Sequence, residues 1–184
     1  YGAAKHKAAR ALHRGTPRHG SLPSNEDVED AVREHLAIFH AETQPAELDA
    51  LRQVAMRWME RLAEFRPHLA GAVWRGTATR LSDVHLHLYC DDGKSAEIAL
   101  LGRDIPYEVA SATGPRGQTV DMLCLVDRAP ELGEPVNVCL SLFDTDDLRG
   151  ALKPDARGRT WRGDLKALRS RLQAQDPLPD PPHG

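Results

Sequence analysis

The chain has 184 residues, 41% of them hydrophobic and 28% charged, with a formal net charge of -3 at pH 7. That balance excludes a disordered composition, and no apolar run approaches the ~20 residues that a membrane-spanning helix requires. One domain with a buried core is expected, and Cys90, Cys124 and Cys139, odd in number and without CxxC spacing, read as small buried hydrophobes of a reducing compartment, the cytoplasm.

Residues 1 to 23 carry Lys5, Lys7, Arg10, Arg14 and Arg18 without one acid, and Gly15, Pro17, Gly20 and Pro23 punctuate them. They read as a basic flexible arm. No apolar block follows these charges as a secretory signal requires, while the acid-poor composition leaves a transit-peptide reading open. Residues 24 to 66 read as N-terminal helices. Ser24 and Asp27 have capping-box spacing, and Val28, Val32, Leu36 and Phe39 recur at helical intervals. A second helix is predicted from Pro45, a first-turn residue, to Arg66, where Pro67 stops it. Leu48, Leu51, Ala55, Trp58, Leu62 and Phe65 form its apolar stripe.

From Pro67 the hydrophobic period changes from 3.6 to 2, and residues 67 to 175 read as an α+β core. Strands are predicted near 69–74, 83–90, 105–112, 118–126 and 136–142. They make a small mixed or antiparallel sheet of four to five strands flanked by helices. Gly114-Pro115-Arg116-Gly117 marks a hairpin loop. Residues 95 to 101 fit a short helix capped by Ser95, although Asp92-Gly93 would also turn a hairpin. Helices follow near 145–151 and 164–174, with Asp144, Asp146 and Asp147 placed to cap the first. The ending "DPLPDPPHG", 176 to 184, reads as a disordered proline-rich tail. Seven basic residues (Lys153, Arg157, Arg159, Arg162, Lys166, Arg169, Arg171) stand against Asp155 and Asp164 between 152 and 171. With the N-terminal arm they offer a nucleic-acid surface; a solvated helix face is the plainer reading.

The stretch "SDVHLHLYC" is the most informative local feature. Residues two apart in a strand share a face, so Asp83, His85, His87 and Tyr89 project together, opposite Val84, Leu86 and Leu88. Asp121 interrupts the apolar run "TVDMLCLV" and would join the same cleft if its strand is a neighbour. Asp83, His85, His87 and Asp121 together would make a Zn- or Mn-type ligand set with a hydrolytic role. An exposed strand face would show the same alternation. No HExxH, GxSxG, Walker A or GxGxxG pattern is present.

Residues 71 to 88, "GAVWRGTATRLSDVHLHL", resemble the signature of the nucleotidyltransferase superfamily, the DNA polymerase β-like fold, in its minimal nucleotidyltransferase branch. Gly71-Ala72 stands where that family has Gly-Ser, Arg75-Gly76 matches its Arg-Gly, and Ser82-Asp83 opens its acidic strand. The resemblance implies a nucleotidyltransferase-like sheet that handles a nucleotide or nucleoside triphosphate. It implies Asp83, His85 and Asp121 as the catalytic, metal-holding set with Mg²⁺ or Mn²⁺; Zn²⁺ through His85 and His87 belongs to the separate ligand-set reading above. Gly71, Ala72, Arg75, Gly76, Thr77 and Ser82 would form the nucleotide cradle. His85 replaces the family's second acid and Ala72 its hydroxyl. Two readings stand side by side: a degenerate binding or regulatory module, and an active metal-dependent enzyme moving NMP from NTP to an acceptor.

Overall fold

The computed structural model describes residues 24–114, 117–155 and 157–175, so the expected basic arm and proline-rich tail lie outside the described residues. Two compact units divide at residue 42: Tyr1–Glu42 and Thr43–Gly184.

In the first unit, helix α1 spans Asn25–Phe39. The predicted capping box is present. The Asp27 N–H donates to Ser24 Oγ at 3.0 Å, and the Ser24 N–H donates to the Asp27 carboxylate at 3.1 Å. Two of the first-turn donors that any helix leaves open are satisfied this way.

The second unit opens with α2, Gln44–Arg61, with Pro45 in its first turn as expected. The helix stops short of Arg66, and a 3₁₀ turn, Ala63–Phe65, completes the approach to Pro67. Leu51, Val54, Ala55, Trp58 and Met59 bury its inner face almost completely. Leu51, Val54 and Met59 each contribute roughly 1.5–3 kcal/mol by leaving water.

Six strands form one mixed sheet in the order β3-β4-β5-β2-β1-β6: β1 His68–Ala70, β2 Val84–Tyr89, β3 Glu108–Thr113, β4 Thr119–Ala129, β5 Glu134–Phe143 and β6 Arg162–Gly163. β2 pairs in parallel with β5 and antiparallel with β1, and every other pairing is antiparallel. Val84, Leu86 and Leu88 share a face with Val138, Leu140 and Leu142 of β5. Leu123 and Leu125 of β4 continue that face, which forms the main core with α2.

The strand expected at 69–74 is cut at Ala70, because Gly71 turns the chain at φ 68° into the short helix α3, Gly71–Arg75. Leu69 and Val73, four apart, fit a helical face as well as the expected alternation. α4, Gly93–Leu101, confirms the helical alternative, but its cap is Asp92, not Ser95: the Lys94 N–H donates to the Asp92 carboxylate at 3.0 Å. Asp144 caps as predicted, accepting from Asp146 N–H at 2.8 Å, yet only a 3₁₀ turn, Thr145–Leu148, follows. Helix α5 spans Leu165–Gln175.

The two-residue strand β6 escaped the sequence reading, since two residues carry no period. Its Gly163 is demanded by packing, because a Cβ there would lie 2.0 Å from the Trp74 ring. That ring cannot easily yield. Trp74 Nε1 donates to the Thr160 carbonyl at 2.9 Å, and the Arg171 guanidinium lies 3.5 Å from the ring centroid. Gly163→Ala is expected to destabilise by about 1–3 kcal/mol through overpacking. Urea titration should show a lower midpoint at unchanged slope.

Candidate functional site

The polar face of β2 is assembled by the turn that precedes it. Ser82 N–H donates to the Thr79 carbonyl at 2.8 Å, and Ser82 Oγ accepts from Thr79 N–H at 3.0 Å. Ser82 therefore serves as a turn lock that delivers Asp83 to the strand. Gly71 stands beside the next polar position: a Cβ on it would sit 3.3 Å from the His85 ring. The expected juxtaposition of the glycine turn with His85 is built.

Across the parallel pairing, His85 faces Cys139 and His87 faces Ser141. Asn137, one position before the Val84–Val138 pair, donates from its amide to the Asp83 carboxylate at 3.0 Å. Cys139 in turn faces Cys124 of β4, with the two sulfurs 3.5 Å apart and both thiols free. Burial, with the neighbouring Cys124 adding to it, pushes the Cys139 thiol up to about 12, so it stays protonated at neutral pH. Asn137 and Cys139 went unnoticed as site residues. Their signal was the alternation in "PVNVCLSLF", whose partner strand only the sheet identifies.

Asp121 does not join them. Its neighbour Met122 is opposite Ser141, which is opposite His87. Strand alternation therefore puts Asp121 on the other face, with Leu123 and Leu125, exposed and two strands away from β2. The expected convergence of Asp83, His85 and Asp121 is corrected by this register. The physical reason is that "TVDMLCLV" is apolar at both parities, so hydrophobicity alone could not tell which face Asp121 takes.

His87 is also committed elsewhere. The Arg162 guanidinium donates to His87 Nδ1 at 3.2 Å and to the Tyr89 hydroxyl at 2.9 Å, and the His87 ring packs on Phe143 with centroids 4.7 Å apart. Burial pushes His87 down to about 3, and the positive Arg162, then His85 and His68, add to the effect. His87 is a neutral acceptor. His85 is lowered by burial, with the Asp83 charge opposing. Among the described residues no three His, Cys, Asp or Glu side chains come together to hold a metal ion. The Zn²⁺ set expected through His85 and His87, and the carboxylate pair expected to hold Mg²⁺ or Mn²⁺, are therefore not assembled. The donors of this face do not fit a two-metal centre: one carboxylate, an imidazole where the resemblance asks for a second acid, and an amide that donates to the one carboxylate.

The expected cradle divides. Arg75 is buried in an ion pair with Asp155 at 2.9 Å, donates to the Thr160 carbonyl at 3.0 Å, and lies 4.2 Å from the Trp161 ring centroid. It fastens the 155–161 segment to α3, and it is not presented to a phosphate. Gly76 ends α3 in the left-handed region at φ 81°, where its N–H closes on the Ala72 carbonyl at 2.8 Å. Thr77 is buried, and its hydroxyl has no hydrogen-bond partner among the described residues. Of the basic residues between 152 and 171, Arg162 is spent on His87 and Tyr89, Arg171 on Trp74, and Arg169 on Glu60 at 2.6 Å. Much of the expected nucleic-acid stripe is thus internal stapling.

No protein-family model and no curated protein matches the sequence. Among solved structures, the chain is similar to Cid1 poly(U) polymerase with MgGTP bound, at 15% identity and a TM-score of 0.42, over 73% of this chain and 45% of that one. It is similar to Cid1 in complex with the UTP analogue UMPNPP, at 16% identity and a TM-score of 0.40, over 73% and 43%. A cytoplasmic RNA terminal U-transferase follows at 16% and 0.39, over 72% and 43%. The chain spans less than half the length of these proteins. The likeness to these chains is partial, with TM-scores between 0.39 and 0.42.

Proposed function

We propose that this chain is a nucleotide-binding module on a nucleotidyltransferase-like sheet, one that binds without transferring. The observation that carries the reading is the Asp83–Asn137 hydrogen bond at 3.0 Å. An amide occupies the place across from the acid, and His85 stands where the family resemblance asks for a carboxylate. Two Mg²⁺ ions bring a charge of +4 that needs hard oxygen donors on both sides of the reacting phosphate. Asp83 alone offers little compensation, and part of its lone-pair capacity is already used by Asn137. What survives is recognition: the polar strand face, and the Gly71 backbone approaching it without a side chain between.

Thermal denaturation with each nucleoside triphosphate, with and without Mg²⁺, tests the binding. Ligand at 100 times Kd should raise stability by roughly 2.7 kcal/mol, or about 5–10 °C for a chain of this size. Incubation with labelled triphosphate is expected to transfer no label. Transfer by the native chain that is lost in Asp83→Ala would establish the enzyme reading instead. Absence of any thermal shift with every triphosphate would remove the binding reading. The double variant His85→Asp, Asn137→Asp should restore a Mg²⁺-dependent shift.

A further inference from the structure

A cleft of about 850 Å³ opens at the end of β1 away from Gly71. Met59, Leu148, Leu152 and Leu165 supply apolar walls, and His68 lines it from the first position of β1. His68 is the register partner of His87 and leaves β1 on the same sheet face as Asp83, but no residue between 71 and 85 lines the cleft, which lies at the opposite end of that strand pair. Its volume is in the range of small-molecule sites, roughly 300–1,000 Å³.

The charges of the cleft are one-sided. Arg66, Lys153 and Lys166 all line it, and among the described residues none of the three has an ion-pair or hydrogen-bond partner for its side chain. The one acid present, Asp164, is occupied in capping α5, accepting from the Ala167 N–H at 2.8 Å. Arg66 is a non-glycine residue in the left-handed region, φ 48° and ψ 55°, its carbonyl accepting from His68 Nδ1–H at 2.9 Å. Arg66 is the cap of the 3₁₀ turn, its N–H donating to the Ala63 carbonyl at 3.2 Å, so this turn sets where Arg66 leaves the chain. Leu152 adds an apolar side chain left 46% exposed on the wall.

We propose that this cleft binds a small amphipathic anion, a molecule with an apolar body and a carboxylate or phosphate head. The apolar walls take the body, and Arg66, Lys153 and Lys166 take the head. A purely apolar ligand would leave three cations without purpose, and a nucleic-acid strand would ask for an extended basic stripe in place of an apolar trough.

Calorimetric titration of the full chain with 1-naphthyl phosphate and with dodecanoate tests this, with inorganic phosphate and 1-naphthol as controls. One of the two amphipathic anions is expected to bind at 1:1 stoichiometry, and both controls should bind at least about tenfold more weakly. The preferred head group then separates a phosphorylated source from a fatty-acid source. Lys153→Ala with Lys166→Ala should weaken binding by about tenfold. Their side chains are exposed, so the melting temperature should not change. Asp83→Ala should leave this binding intact, which separates it from the nucleotide reading. Failure of both anions to bind at millimolar concentration would overturn the proposal. So would naphthol binding as tightly as its phosphate, an unchanged affinity in the lysine variant, or loss of binding in Asp83→Ala.

Discussion

Arg75→Met is expected to lower the melting temperature by on the order of 10 °C, the largest effect of any single substitution away from the apolar core. The Arg75 and Asp155 side chains pair at 2.9 Å and are only 3% and 2% exposed. Removing the guanidinium leaves a shielded carboxylate with only the more distant Arg159 guanidinium at 3.9 Å, and the loss of a partner costs more than the intact pair contributes. Burial pushes the Asp155 carboxyl up, but the Arg159 N–H, the Arg75 side chain and the Arg157 N–H more than offset that and hold it below the usual carboxylate range. The Thr160 carbonyl and the Trp161 ring also lose their contacts with Arg75. The double variant Arg75→Met, Asp155→Asn removes both charges and keeps an acceptor for the two N–H groups. It should recover much of the loss. Scanning calorimetry of the native chain, the single variant and the double variant checks the result; a single variant melting with the native chain would show that the pair contributes nothing.

Acid is expected to unfold this protein from an unusually high starting pH. His68, His85 and His87 are each lowered from 6.5, all chiefly by burial, and His87 reaches about 3. Between those values the unfolded chain takes up protons that the folded chain refuses, so stability falls as pH drops. For His87 the loss begins near pH 6.5 and continues to about 3. Each such histidine contributes a slope of up to about 1.4 kcal/mol per pH unit. Above pH 7 these groups are neutral in both states and contribute no slope. Asp127 and Asp155, lowered from 3.8, add losses of the same sign, but in the more acid range below about 4. Urea midpoints from pH 8 to 4 at constant ionic strength should therefore decline from about 6.5. His87→Gln, which keeps an acceptor for Arg162, should flatten that decline. A midpoint level from pH 8 to 5 would contradict the argument.

Several features were legible in the residues themselves. Alternation from Asp83 to Tyr89 determined that His85 and His87 share one face of β2 while Val84, Leu86 and Leu88 fill the core, because a strand has period two whatever surrounds it. Ser24 with Asp27 determined the start of α1, and the stripe from Leu48 to Trp58 determined the face that α2 buries, since caps and helical periodicity are local. Other features were decided only when distant segments met. Asp121 lies in a run apolar on both sides, so the β4–β5 register alone assigned its face. Asn137 and Cys139 became neighbours of Asp83 and His85 through a parallel pairing across more than fifty residues, which no local pattern announces. Arg75 carries the same charge on a surface as in a buried pair, and Asp155, eighty positions away, made it a structural clamp. Side-chain parity and capping depend on near neighbours along the chain, whereas strand register and charge pairing depend on which remote segments the shared core brings together.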